Sequence, residues 1–415
     1  MKKRFVLTLA GILWCVGAQA ADTWPQWLGP NRDGTLGAGV AVPESIPAEL
    51  KSVWRIQIGG GFSSPVVVGQ TLVYLDDRLG QETAHCVNSQ NGRENWAVPV
   101  ASTFQDEWGA GTRSTPCIDE DRVYALSCNG EFRCLNLRDG KTIWAKSFEK
   151  DFGVKFLGSK ANEGTSTRRG NNGSPLLNGD SAYVPVGSTN GAMLVCFNKR
   201  NGSMVWHAGT DETAYSSPVL GKLAGKQQLV YLSAEALMGL EPGTGEILWR
   251  VPLRTNAKRH AATPLIFEDS VIVNSHTFGV IRFAIEQKEG KFSARQEWAN
   301  RQLAINLATP VIVGNHLYSQ GPAKDFICAD LLAGKQNWSQ PGFGKEYTAT
   351  MVFGKNLLSI TDDGQLVLIE PNPAKYVERS RTQICGKNWN FPAYAEGKLY
   401  IRDNRELACY DLMGK

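Results

Sequence analysis

One spacing recurs five times along this chain without a gap: a small residue, an acidic or amide residue two positions on, glycine six on and tryptophan ten on. The copies are Cys86/Asn88/Gly92/Trp96, Cys134/Asn136/Gly140/Trp144, Cys196/Asn198/Gly202/Trp206, Gly239/Glu241/Gly245/Trp249 and Cys328/Asp330/Gly334/Trp338. A period of roughly forty to sixty residues means that the chain folds as a series of similar supersecondary units, each unable to bury its apolar face alone. In each copy a side-chain oxygen accepts backbone N–H groups within a turn, and glycine lets the chain reverse. The tryptophan that follows is expected to lie flat against the neighbouring unit. Burial of so large a ring contributes about 2–3 kcal/mol per unit.

Upstream of each turn the chain alternates Val, Ile, Leu and Tyr with polar residues, the period of a strand. Ser/Thr/Ala-Pro steps at Pro65, Pro116, Pro175, Pro218, Pro264, Pro310 and Pro392 mark seven starts, and Met351 stands at the remaining one. Gly69-Gln70, Gly179-Asp180, Gly314-Asn315 and Gly397-Lys398 are expected to turn first hairpins. Asn129-Gly130 and Asp363-Gly364 suit second ones, since such pairs tolerate positive φ. The fold class is therefore all-β: an eight-bladed propeller of four-stranded antiparallel blades. The last copy stops after Cys409, Asp411 and Gly414 with no tryptophan, whereas Ser52-Val53-Trp54-Arg55-Ile56 looks like an outer strand without a blade. That N-terminal strand is expected to complete blade eight and leave only short sheet edges. Trp54, Trp96, Trp144, Trp206, Trp249, Trp298 and Trp338 are assigned to blade docking. Blade seven departs most, with Tyr376 and Val377 near the tryptophan position.

Residues 1–20 stand apart. Lys2, Lys3 and Arg4 precede an apolar run that ends in Ala18-Gln19-Ala20, the pattern of a signal peptide cut after Ala20. Export to the periplasm or beyond follows, with residues 21–50 as an extension packing on the propeller of residues 51–415. No further run is long and apolar enough to span a membrane. The formal charge of +4 is spread along the chain, which gives no reason to expect nucleic acid. Of nine cysteines, Cys86, Cys134, Cys196, Cys328 and Cys409 share one repeat position, and they read as small buried residues rather than as a disulfide framework. A Cys128–Cys134 bridge stays open.

The Asn/Asp-x3-Gly-x3-Trp turn resembles the tryptophan-docking motif of the pyrroloquinoline quinone (PQQ)-like propeller superfamily, over nearly all of the chain beyond residue 20. That resemblance implies either a quinoprotein alcohol dehydrogenase or a non-catalytic scaffold, such as the propeller lipoprotein of the outer-membrane β-barrel assembly machinery. Trp24-Pro25-Gln26-Trp27-Leu28-Gly29-Pro30-Asn31-Arg32-Asp33-Gly34 resembles a leader common in exported PQQ-like propellers, and it is expected to pack across the ring. The dehydrogenases typically carry an adjacent cysteine pair, calcium-ligating residues and a catalytic aspartate, and some carry a haem-attachment motif. This chain has neither Cys-Cys nor Cys-x-x-Cys-His, and no acidic residue is matched to a catalytic one.

Other chemistry is sparse. Histidines 85, 207, 260, 276 and 316 lie in different blades without metal-ligand spacing. Gly59-Gly60-Gly61 lacks the Lys-Ser/Thr of a phosphate loop and reads as a flexible connector. Asp76-Asp77 and Asp362-Asp363 read as acidic hairpin residues rather than a calcium site.

The non-repeating polar residues fall in the connectors between blades, which in a propeller gather around one mouth of the channel. Candidates for binding are Trp108, Arg113, Arg168, Arg169, Asn171, Asn172, Lys258, Arg259, His260, Arg301, Asn306, Tyr347, Asn388 and Trp389, with Glu107, Glu346 and Asn390 beside them. Basic and aromatic side chains together suit a sugar, an acidic small molecule or a peptide. The sequence thus predicts no catalytic residues, no metal and no cofactor, and a non-catalytic module that binds an envelope protein, peptide or glycan. PQQ with calcium in an oxidoreductase, or a carbohydrate-binding propeller, are the alternatives.

Overall fold

Proline sets where a blade begins. The computed structural model describes residues 22–158, 170–255, 258 and 260–414. In seven blades the innermost strand starts directly after the expected proline, because proline has no N–H to give to a ladder. These strands are Val66–Val68, Cys117–Asp119, Leu176–Asn178, Val219–Leu223, Leu265–Phe267, Val311–Val313 and Ala393–Ala395. Blade seven has Met351 instead, and its strand, Thr348–Phe353, extends back to pair Thr348 with Thr361.

Among the described residues the strands form eight four-stranded antiparallel sheets and one two-stranded hairpin. Ser52–Gln57 is the outer strand of blade eight and pairs Trp54 with Cys409 of Glu406–Asp411, so the ring closes as the repeat predicts. The first-hairpin turns lie at the expected dipeptides, except that in blade eight the turn is Glu396-Gly397, one residue early. Glu396 there adopts φ +50°.

One register unites the belt. Cys86 faces Trp96, Cys134 faces Trp144, Cys196 faces Trp206, Gly239 faces Trp249, Arg282 faces Trp298 and Cys328 faces Trp338. A bulge follows each of these pairs and twists the outer strand toward the next blade. All of the docking indoles but Trp249 then reach across. Trp54, Trp96, Trp144 and Trp206 donate to the carbonyls of Ser89, Leu137, Lys199 and Pro242 at 2.8–3.0 Å, and Trp298 and Trp338 to Leu331 and Asn372.

The motif glycine has a second duty beyond its positive φ. A Cβ on Gly202 would sit 2.7 Å from the Trp144 ring, and one on Gly245 2.5 Å from Trp206. Glycine is therefore the seat for the preceding blade's tryptophan. Blade five lacks the turn and has a long hairpin, Gly279–Lys288 and Lys291–Asn300. Trp249 instead donates to Gln228 of its own blade at 2.6 Å, and Gly239 leaves it room, since a Cβ there would lie 2.2 Å from its nitrogen.

Blade seven corrects one expectation: the residue at the tryptophan register is Ser380, opposite Leu368, and neither Tyr376 nor Val377. Tyr376 packs edge-on against Trp338 of blade six, at 5.8 Å. The described cysteines are all free thiols, Cys128 and Cys134 included, and all but Cys385 are buried. Burial pushes the Cys328 thiol up to about 11 and that of Cys409 to about 12, so both stay protonated near neutrality.

The extension plugs the channel. Trp24 exchanges two backbone hydrogen bonds with Val67 of blade one, and Pro25 accepts from Ile118 of blade two. The Arg32 guanidinium donates to the Ser174 and Pro175 carbonyls of blade three and to Pro218 of blade four. The Trp27 indole donates to Thr263 of blade five, at 2.9 Å. Gly34 lies against Val311 of blade six, its carbonyl accepts from Val352 of blade seven, and Trp24 stacks on Phe391 of blade eight. All eight inner edges thus hold the plug. Residues 36–50 then run beneath blades seven and eight, where the Ala41 and Ala48 carbonyls accept from Tyr394 and Thr382. Among the described residues no helix is long and apolar enough to cross a membrane.

Candidate mouth cavity

With the channel plugged, the connector face becomes a blind cup of about 640 Å³. Trp27 of the plug lines it, and every connector contributes to the wall. Phe62 comes from the connector between blades eight and one; Asp106, Trp108 and Arg113 from the next; Asn172 and Ser174 from the third; Tyr215 and Ser217 from the fourth. Ala261, Asn306, the Lys345-Glu346-Tyr347 stretch and Trp389 complete the circuit.

The connector between blades one and two carries a small hairpin, Gln105–Asp106 paired with Gly109–Ala110, whose tip is Glu107-Trp108. Asp106 Oδ1 accepts the Trp108 N–H at 2.9 Å and the Arg113 guanidinium at 2.6 Å. Arg113 also donates to the Gly109 and Gly111 carbonyls and lies 4.6 Å over the Phe62 ring. It is the clamp of the hairpin, with its charge spent on Asp106. Trp108 is 44% exposed and sits 5.6 Å from Trp389, which in turn packs against Phe62 at 5.6 Å.

Of the other sequence candidates, Asn172, Asn306 and Tyr347 line the cup. Five described ones do not, and the reasons differ. Asn171 is buried and donates to Pro185 at 2.6 Å, fixing a neighbouring blade. Asn388 is buried and caps its own turn by accepting from the Asn390 N–H. His260 is fully buried, and desolvation pushes it down to about 4, so its ring is neutral. Lys258 pairs with Glu235 at 2.8 Å. Arg301 is exposed outside the cup, and Arg168, Arg169 and Arg259 lie outside the described residues. Of the described basic candidates, then, only Arg113 reaches the cavity.

Several charges were not legible as site features. Glu82 is buried close to Arg113, accepts the Cys128 N–H at 3.0 Å, and is pushed up to about 7 by desolvation. Arg402 is fully buried against the carbonyls of Gly59, Ser63 and Leu75. Those contacts correct the reading of Gly59-Gly60-Gly61 as a flexible connector. The Gly59 N–H binds Asp76 at 2.7 Å, and a Cβ on Gly59 would meet the Asp77 carbonyl at 2.0 Å, so glycine is required by close packing. The acidic pairs are likewise engaged: Asp76 accepts from His85 at 2.9 Å, and Asp362 accepts the Lys345 and Glu346 N–H groups.

A family model described as outer membrane protein assembly factor BamB matches residues 48–211 and 133–375. The outer membrane protein assembly factor BamB of Burkholderia pseudomallei (strain K96243) is 24% identical over 289 residues, covering 68% of this chain and 67% of its own length. Its counterpart in Moranella endobia (strain PCIT) is 22% identical over 236 residues, 54% of this chain and 56% of its own. The chain thus spans about two thirds of the first relative and little more than half of the second. Among solved structures, BamB from Moraxella catarrhalis superposes with a TM-score of 0.58 at 14% identity, covering 89% of this chain and 99% of its own. The quinohemoprotein alcohol dehydrogenase of Comamonas testosteroni gives 0.50 at 12% identity over 95% of this chain and 81% of its own. At such identities the likeness is one of fold.

Proposed function

The chain belongs to the family of outer membrane protein assembly factor BamB, and from that membership we propose that it is a non-catalytic scaffold of the cell envelope. Its connector face meets a protein of outer-membrane assembly. The observation that carries this reading is the division of the molecule: non-repeating side chains from all eight connectors converge on one mouth, while the repeated residues are consumed in holding blades together. A propeller built this way offers one broad, pre-formed surface whose side chains vary without cost to the ring.

Export through a cleaved leader ending at Ala20, to the periplasm rather than beyond the cell, belongs to this reading. The oxidoreductase alternative has less behind it, because the likeness to a quinohemoprotein concerns fold and the chain lacks an adjacent cysteine pair.

Photo-crosslinking in the native host tests the proposal. A photoreactive residue at Trp108, Asn306 or Glu346 is expected to capture a component of outer-membrane assembly, identified by mass spectrometry, and the same residue at Met204 on the outer rim is not. Capture from Met204 alone, or no assembly component from any connector position, would overturn it.

A further inference from the structure

The interior of the cup differs from its rim, and an inference about it does not depend on the scaffold reading. Its walls are aromatic: Trp27 below, Phe62, Trp108 and Trp389 on one side, Tyr215 and Tyr347 elsewhere. Arg113 is neutralised by Asp106 and held by two carbonyls, and the other cations at this wall, Lys345 in the lining and Lys387 at 5.1 Å over the Trp389 ring, are exposed, so an acidic ligand finds no buried positive charge left free there. Two polar atoms at the same wall are buried without a partner, the Trp389 Nε1–H donor and the Asp106 Oδ2 acceptor, and Asp106 is only 4% exposed. Buried polar groups left unmatched are costly, so a ligand that supplies both an acceptor and a donor is favoured over an apolar one.

Flat apolar faces that cover indole rings, together with hydroxyls at the edge that answer a lone N–H and a lone carboxylate oxygen, describe a pyranose ring. We propose that the mouth cavity binds a neutral oligosaccharide, stacked on Trp108 and Trp389 and hydrogen-bonded to Trp389 Nε1 and Asp106 Oδ2. The volume lies within the usual range for small-ligand sites and accommodates roughly two or three sugar rings. Arg113 is a positioning residue: it holds the hairpin that presents Trp108. An aromatic side chain would fill the slot between the rings, but an indole has no acceptor for the Trp389 N–H, and a phenyl ring has neither acceptor nor donor.

The test uses the purified chain beginning at Ala21 and follows intrinsic tryptophan fluorescence and titration heat. The probes are cellotriose, maltotriose and tri-N-acetylchitotriose, with trigalacturonate as an acidic trisaccharide and Trp-Gly-Trp as an aromatic peptide. At least one neutral trisaccharide is expected to bind saturably, more than tenfold tighter than trigalacturonate or the peptide. Trp108→Ala weakens that binding about tenfold with melting unchanged, and Trp389→Ala weakens it about tenfold at a temperature where the variant, which loses a ring packed on the core, is still folded. Arg113→Met weakens it similarly, but adds nothing to Trp108→Ala in the double variant, the signature of action through Trp108. The proposal is overturned if no neutral trisaccharide binds, if binding survives both tryptophan substitutions, or if the acidic sugar or the peptide binds as tightly as the best neutral probe.

Discussion

Tryptophan serves two opposite ends in the outer belt and in the mouth. In the belt, Trp144 and Trp206 are buried, lie on a glycine of the next blade and give their N–H to that blade's carbonyl. In the mouth, Trp108 is nearly half exposed, and the Trp389 N–H is buried without a partner. The same side chain is mortar where its face and its donor are both consumed, and a binding surface where they are not. Stability should therefore follow the belt and the plug, and recognition the mouth.

Trp206→Ala has the largest expected effect. It removes a ring seated on Gly245 and strands the Pro242 carbonyl, at a cost of about 3–5 kcal/mol in denaturant melts. A loss below about 1 kcal/mol would mean that blades four and three are held by something other than the indole. Next comes the plug. Arg32→Met leaves the Ser174, Pro175 and Pro218 carbonyls without their shared donor, and a loss on the order of 2–4 kcal/mol is expected. Arg32→Lys should rescue little of it, because an ammonium group lacks the planar fork that spans two blades.

Titration separates the regions further. Glu82, raised to about 7 by burial, binds its proton in the folded state while the unfolded chain has released it, so its contribution to stability falls as pH rises from about 4.5 to 7. His260, lowered to about 4, does the reverse: the unfolded chain takes up a proton first, and stability is lost as pH falls from about 6.5 to 4. The two slopes oppose each other between about pH 4.5 and 6.5. Glu82→Gln should raise stability above pH 7 by on the order of 2 kcal/mol and uncover a positive slope across that window. An unchanged pH profile would show that Glu82 does not carry the shift.

Smaller effects belong to the mouth. Trp108→Ala should change stability by less than about 0.5 kcal/mol, as expected of an exposed hairpin tip. Addition of PQQ and calcium should raise the melting temperature of neither parent nor variant; a saturable rise would revive the oxidoreductase alternative.

The belt was legible in the sequence because its determinants are local and repeated. Glycine, tryptophan and the turn acid recur at fixed offsets, and the unpaired strand at Trp54 announces the closure. Blade seven was misplaced at Tyr376 because only pairing across strands assigns the register to Ser380. The mouth was half legible. Connector positions identified Trp108, Asn172, Asn306, Tyr347 and Trp389 as cup residues, but not which polar groups are already spent. Arg113 looked like a ligand anchor, although Asp106 seven residues earlier and the glycines between them were the available sign of a clamp. Arg32 was marked only as part of a leader that packs across the ring, and Arg402 carried no sign at all, because a guanidinium that serves only backbone carbonyls leaves no acidic partner in the sequence.

The division between belt and mouth is tested most directly by one paired measurement on Trp206→Ala and Trp108→Ala: the unfolding midpoint in denaturant, and photo-crosslinking yield from Asn306 at a temperature where both variants are folded. Trp206→Ala is predicted to lower the midpoint and keep the crosslink, while Trp108→Ala keeps the midpoint and loses most of the crosslink. Loss of both properties together in either variant would contradict it.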